Sequence, residues 1–203
     1  MTSIAVIDHG AGNLVSIGRG LERSGAAVTV VTTPEGLADV DGVVLPGVGN
    51  AAAAFDRIEA SGFVEPLQRL EAPLLGICVG FQLLFDGSDE DDSGGLGLLP
   101  GRVRRLTAPR LPHIGWNDLA IVRPDPLLDG IGGEPLYFVH SYAPEPSEPG
   151  DVVATTDYPT AFAAVARRGH VAGVQFHPER SGNAGLRVLE NFVTSCGTSR
   201  RAA

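Results

Sequence analysis

Over the first 85 residues, short apolar runs alternate with amphipathic stretches. Residues 3–8 (SIAVID) form an apolar run closed by Asp and Gly, the mark of a buried strand. Leu14–Arg23 carries apolar residues at 14, 17 and 21, a helical spacing, and stops at Gly25. Residues 27–31 read as a second strand, and residues 42–45 as a third that ends in Pro46-Gly47-Val48-Gly49. Ala51–Ala60 and residues 63–70 read as helices, residues 73–78 (PLLGIC) as another buried strand, and residues 79–85 as the opening of a helix. Strand alternating with helix predicts an α/β fold: a flavodoxin-like, mostly parallel central sheet flanked by helices.

The pattern changes after residue 86. Residues 86–95 (DGSDEDDSGG) read as an acidic loop, followed by β-like runs at 102–106, 118–122, 136–142, 152–156, 161–166 and 171–177. The Pro-rich residues 143–150 read as a turn or loop, residues 184–195 as a closing helix, and 197–203 as a disordered tail. The later runs are expected to add antiparallel strands to the same core, giving one domain over 1–196 and no internal repeat.

A chain of 203 residues, 43% hydrophobic, suffices for one sizeable core and argues against disorder. No apolar run is long enough to span a bilayer, and the opening MTSIAVIDHG does not read as a signal peptide. The net charge of −9 argues against nucleic acid, whose phosphates call for a basic face. Cys78 and Cys196 do not make a disulfide framework, so a cytoplasmic setting is expected. All 15 basic residues are Arg, which fits either GC-rich coding or adaptation to salt.

Three segments carry chemistry. Gly76-Ile77-Cys78-Val79-Gly80 joins a strand to a helix with a nucleophile between two spaced glycines, the pattern of a nucleophile elbow. A sharp turn there leaves no room for side chains two positions either side, and a helix N-terminus behind the sulfur favours its thiolate. His177 ends an apolar strand and is followed by Pro178 and Glu179. An imidazole there can protonate departing ammonia while Glu179 orients it. An oxyanion hole needs backbone donors: the Val79 N–H is one, and the Pro46–Gly49 turn, with Gly47 and Val48, can supply another.

Together these residues resemble a class I, triad-type glutamine amidotransferase, and within that class the chain is similar to the glutaminase subunits of imidazole glycerol phosphate synthase. Supporting segments are Asp8–Asn13 (DHGAGN), 76–85 (GICVGFQLLF), 95–101 (GLGLLPG), 112–117 (PHIGWN), 137–142 (YFVHSY) and 175–182 (QFHPERSG), a span from Ile4 to about Cys196. The resemblance implies Cys78, His177 and Glu179 as the triad. It implies that Gly49, Gln82, Glu90, Ser141 and Tyr142 hold glutamine, Glu90 being one of several acids in its loop. It also implies that Asn13, Trp116, Tyr137 and Arg180 meet a cyclase subunit in a heterodimer. That partner would use the ammonia to turn a phosphoribulosyl-formimino intermediate into imidazole glycerol phosphate and aminoimidazole carboxamide ribotide. No organic cofactor, metal, nucleic acid or membrane is implied.

The chain departs from the usual family pattern at His9 (usually Tyr), Val79 (Leu), Phe81 (Met) and Arg180 (Lys). None of these removes a reacting group, and Phe81 is expected to alter packing beside the elbow. Asp8-His9-Gly10-Ala11-Gly12 is not a dinucleotide loop, because Val15 stands where a third glycine is needed. The same triad would serve the glutaminase of pyridoxal phosphate synthase or anthranilate synthase. A pseudo-glutaminase binding module and a free-standing cysteine peptidase are the readings from other classes.

Overall fold

The computed structural model describes residues 1–202, with side chains to residue 198. Its elements in chain order are β1 (Thr2–Ile7), α1 (Leu14–Arg23), β2 (Ala26–Val31), β3 (Gly42–Gly47), α2 (Ala51–Ala60), α3 (Val64–Gln68), β4 (Leu74–Cys78) and α4 (Val79–Gln82). There follow β5 (Gly87–Ser88), β6 (Ser93–Gly94), β7 (Gly101–Arg105), β8 (His113–Asn117), β9 (Ala120–Ile121), β10 (Leu136–His140) and β11 (Tyr142–Pro146). The chain closes with β12 (Val152–Asp157), β13 (Ala161–Arg168), β14 (Val171–Val174) and α5 (Gly182–Ala202).

Among the described residues, one eight-stranded sheet runs β2-β1-β3-β4-β14-β13-β12-β9. The pairs from β2 through β14 are parallel, and β13, β12 and β9 extend the sheet antiparallel. The expected mostly parallel sheet with an antiparallel extension is therefore present. β3 and β4 are buried along their whole length, as central parallel strands covered on both faces must be. Helix α1 buries Ile17 and Leu21, two of the three apolar positions that predicted it. Helix α2 begins where the Asn50 side chain accepts the Ala53 N–H at 2.9 Å, an N-cap that satisfies one otherwise free donor.

Several expectations need correction. The Pro-rich residues after 142 include strand β11, paired antiparallel with β7 from Tyr142↔Arg105 to Pro146↔Gly101. Prolines fit because β11 is an edge of its four-stranded sheet, β11-β7-β5-β6. The acidic residues 86–95 contain the small hairpin β5–β6. Asp89 there meets Arg102 at 2.6 Å and Arg104 at 2.9 Å, so arginines on β7 partly neutralise the acids. Strand β8 is not apparent in the apolar pattern, because His113, Gly115 and Asn117 interrupt it. The run expected at 118–122 shrinks to β9, both of whose residues are exposed. Residues 79–85 form one turn of helix rather than the start of a longer one. Helix α5 runs Gly182–Ala202, longer than the closing helix expected at 184–195. Cys196 is fully buried and anchors its later turns, and each residue added to an anchored helix gains a hydrogen bond without a new nucleus. Residue 203 lies outside the described residues.

Candidate active site

Strands β3, β4 and β14 lie side by side and point their C-terminal ends at one cleft of about 370 Å³, the usual place for a site in an α/β sheet. Cys78 stands at the tip of β4 with φ 54° and ψ −109°, a backbone conformation that side-chain-bearing residues rarely adopt. The surrounding glycines explain how the turn holds. A Cβ on Gly80 would overlap the Leu45 carbonyl oxygen, and one on Gly76 would come within 2.7 Å of the Gly80 carbonyl oxygen. Gly47 pairs with Cys78 in register, and a Cβ there would come within 2.7 Å of the Gly80 nitrogen. Strand and elbow thus press backbone on backbone. On the other side, the Phe81 ring lies against Gly173 of β14 and fills the space a side chain would take. The expected packing change at Phe81 is a ring that rests on a bare strand.

Helix α4 begins at Val79, so its first N–H groups lack partners within the helix and are available beside the sulfur. His177 follows β14. Its backbone is clamped: its N–H donates to the Tyr137 carbonyl at 2.9 Å, and its own carbonyl accepts the Ser181 hydroxyl at 2.6 Å. The Ser181 oxygen in turn accepts the Tyr137 N–H at 2.9 Å. Within this frame the His177 Nδ1–H donates to Glu179 Oε1 at 2.9 Å. That bond leaves Nε2, buried and without a partner in strict hydrogen-bond geometry, on the side of Cys78. Burial is the largest influence on the imidazole and would lower its pKa. The hydrogen bonds and charges of Cys78 and Glu179 together outweigh it and push the value up to about 10. At neutral pH His177 is thus protonated, held by Glu179 at Nδ1, with Nε2 free to serve the reaction.

The cleft is lined by Val48, Gly49, Cys78, Val79, Gln82, Glu90, Ser141, Tyr142, His177 and Arg180, among others. All five residues expected to hold glutamine therefore line one space. Two of their side chains are already engaged. Glu90 accepts the Ala51 N–H at 2.7 Å, at the start of α2. Gln82 directs both hydrogens of Nε2 inward, to the Tyr142 carbonyl at 2.9 Å and to Gln175 Oε1 at 3.1 Å. Only its Oε1 remains for a ligand. Of the oxyanion candidates, Val48, 41% exposed, and Val79 line the cleft, whereas Gly47 lies beneath as packing.

Three of the four residues expected at a partner surface, Trp116, Tyr137 and Arg180, cluster beside the cleft. Trp116 and Tyr137 are directly paired on β8 and β10, with ring centroids 5.6 Å apart. The Arg180 guanidinium sits 4.5 Å over the Tyr137 ring, a cation–π contact. Trp116 remains 57% exposed, so a core role for it is excluded in this chain. Asn13 precedes α1 without making a side-chain cap, and is not among the residues lining the cleft.

Sequence reasoning assigned no role to Gln175, His113, His140 or Ser181. Gln175 is fully buried, with Nε2 3.7 Å from Cys78 Sγ. Its signal was present: a polar residue inside an apolar strand needs a partner there. No described helix is long and apolar enough to cross a membrane.

A family model for glutamine amidotransferase class-I matches residues 5–196. The chain is 49% identical to the imidazole glycerol phosphate synthase subunit HisH of Halobacterium salinarum, covering 96% of this chain and 94% of that protein. It is 47% identical to the subunit of the same name from Xanthomonas campestris, covering 95% and 98%. Among solved structures, a glutamine amidotransferase superposes with a TM-score of 0.78 at 20% identity, covering 96% of this chain and 98% of that one. The structure of PurLQS from Thermotoga maritima superposes at 0.74 and 20% identity, covering 96% and 98%. At these identities the two structures speak for the fold.

Proposed function

The chain belongs to the class-I glutamine amidotransferase family, and from that premise we propose that it is the glutaminase subunit of an imidazole glycerol phosphate synthase whose reacting groups are Cys78, His177 and Glu179. The observation that carries the assignment of residues is the strained Cys78 elbow in one cleft with an imidazole that Glu179 holds at 2.9 Å. The amidotransferase domain is taken as 1–196, a span supported by the family match over 5–196.

The Cys78 thiolate attacks the side-chain carbonyl carbon of glutamine, and the carbonyl oxygen takes up the negative charge. The backbone N–H of Val79 takes that charge, with Val48 as the second donor and Gly47 as the packed residue that lets the loop turn. Collapse of the adduct breaks the C–N bond, and His177 gives its Nε2 proton to the leaving ammonia. A water molecule deprotonated by His177 then attacks the thioester, releasing glutamate and restoring the thiol group. Gly49, Gln82, Glu90, Ser141 and Tyr142 hold the substrate. Ammonia passes to a cyclase subunit, which docks on Asn13, Trp116, Tyr137 and Arg180 and makes imidazole glycerol phosphate and aminoimidazole carboxamide ribotide. A nucleophilic thiol suits a reducing compartment, and the reaction is placed in the cytoplasm.

The loop Pro46–Gly49 gives this reaction a means of control. Gly49 has φ 88°, and a Gly-flanked peptide can turn its N–H toward or away from the oxyanion. Losing one donor costs about 10²–10³ in rate, enough to prevent waste of glutamine when no acceptor is bound. Glutamate release should therefore rise by about that factor from the chain alone to its acceptor-loaded complex with the cyclase. Equal rates in the two states would contradict partner control.

A further inference from the structure

The floor of the cleft holds a run of hydrogen bonds whose direction is set by a single atom. The Tyr142 carbonyl oxygen can only accept, and it lies 2.9 Å from Gln82 Nε2 and 2.8 Å from His140 Nδ1. The Gln82 amide must therefore turn its NH2 group toward Tyr142, and the second hydrogen of that group meets Gln175 Oε1 at 3.1 Å. With its oxygen so engaged, Gln175 has only its own NH2 group to face Cys78 Sγ, at 3.7 Å. Turning over the Gln175 amide would set NH2 against NH2 in a place where Gln175 is 0% and Gln82 4% exposed, a buried mismatch with a full desolvation cost.

The far end of the run is settled in the same way. His140 donates from Nδ1 to Tyr142, so its Nε2, when the ring is neutral, is an acceptor. Burial pushes its pKa down to about 3, which keeps the ring neutral. His113 Nδ1, 3.1 Å away, must then be the donor. His113 is itself pinned between Tyr158, at 4.0 Å between ring centroids, and Phe138, at 5.1 Å. Two runs thus converge on the Tyr142 oxygen: His113 donates to His140 and His140 to Tyr142, while Gln82 donates both to Tyr142 and to Gln175, which faces the sulfur.

We propose that Gln175 is a further catalytic residue of the glutaminase reaction, its side-chain N–H donating to Cys78 Sγ and steadying the thiolate that attacks glutamine. Gln175 moves no proton; the N–H stays on the amide while the S–C bond forms. The role rests on Cys78 being the nucleophile. A buried anion needs donors on more than one side, and His177 must release its proton to ammonia during the reaction. Gln175 supplies a donor that is never given away, and a hydrogen bond to an ionised partner is the stronger kind.

The test uses this chain assembled with its cyclase partner, in the wild-type form and in two variants, Gln175→Leu and Gln175→Glu. The first variant removes the donor. The second keeps the length and the contact with Gln82 but replaces the donor with a negative charge, and serves if the leucine variant does not fold. Each is treated with iodoacetamide at neutral pH, and the Cys78 peptide is followed by mass spectrometry. Burial holds the Cys196 thiol up at about 12, so it does not compete for the reagent. Cys78 alkylation should slow about tenfold in Gln175→Leu, the effect of losing one hydrogen bond to a charged group, and more in Gln175→Glu. Co-elution of each variant with the cyclase subunit and a wild-type circular-dichroism spectrum of the variant chain exclude a general loss of structure. Alkylation at the wild-type rate in either folded variant would overturn the proposal. If Cys78→Ala kept glutamine-dependent synthesis, the nucleophile itself would be wrong. If Cys78→Ala were inactive and Gln175→Glu alkylated normally, only the role of Gln175 would fall.

Discussion

The elbow at the ends of β3, β4 and β14 and the two-stranded arm β8–β10 lie side by side, yet they are held by different forces. At the elbow, backbone meets backbone. Gly47, Gly76 and Gly80 leave no space for a single added carbon, and Cys78 keeps a strained φ of 54° because its neighbours cannot yield. On the outer side of the arm, Trp116, Tyr137 and Arg180 rest on one another, with Trp116 57% exposed and Ile114 59% exposed. The first region is complete in the isolated chain. The second leaves apolar and cationic side chains exposed, and it is the face on which we propose the cyclase subunit docks. Chemistry here depends on what the backbone excludes, and partner recognition on what side chains leave exposed.

Substitutions can break or sharpen that contrast. The largest effect should come at the imidazole. Glu179→Gln removes the charge that holds His177 and should lower glutamine turnover by about 10²–10⁴-fold with little change in partner affinity, measured by steady-state kinetics and titration calorimetry. The pH dependence follows from the same pair. The His177 pKa is raised, so its stabilising effect is fully present below its ordinary value near 6.5 and is lost as pH rises through about 10. Glutamine turnover should fall over that alkaline limb, whereas a flat profile to pH 11 would contradict the raised value.

A smaller effect is expected from packing. Gly80→Ala should cost about 3 kcal/mol in denaturant unfolding, because a methyl group there meets the immovable Leu45 carbonyl. Gly132→Ala, outside the elbow and with open space around it, should stay within about 0.5 kcal/mol. Equal costs would mean that the elbow is no more constrained than a surface turn. The smallest effect belongs to the arm. Trp116→Ala should weaken binding of the cyclase subunit by about 2 kcal/mol, roughly thirtyfold, and leave the unfolding midpoint of the isolated chain in place.

What could be read in advance divides along the same line. The parallel half was legible because its central strands are buried on both faces and its first helices show a clear helical period; Leu14–Arg23 and Ala51–Ala60 match residue for residue. The elbow was legible because a G-x-C-x-G pattern has a steric cause that needs no partner strand. β11 and β8 were obscured because their stability comes from pairing with β7 and β10, and a proline or glycine in a strand is acceptable only once its edge position is known. The acidic loop looked solvated because the arginines that meet Asp89 come from β7. Gln175 stood in plain view within the apolar run 171–177, just past the end of β14, but its proposed role depends on Gln82, 93 residues away in sequence. Chemistry written in a short segment can be read from it; chemistry assembled by the fold cannot.

The most direct measurement is of Cys78→Ala in complex with the cyclase subunit, assayed twice, once with glutamine and once with free ammonia as nitrogen donor. Glutamine-dependent synthesis should fall by about 10⁴-fold or more, while ammonia-dependent synthesis stays at the wild-type rate, because the cyclase centre lies on the other subunit. Glutamine-dependent synthesis that survives in Cys78→Ala would contradict the account.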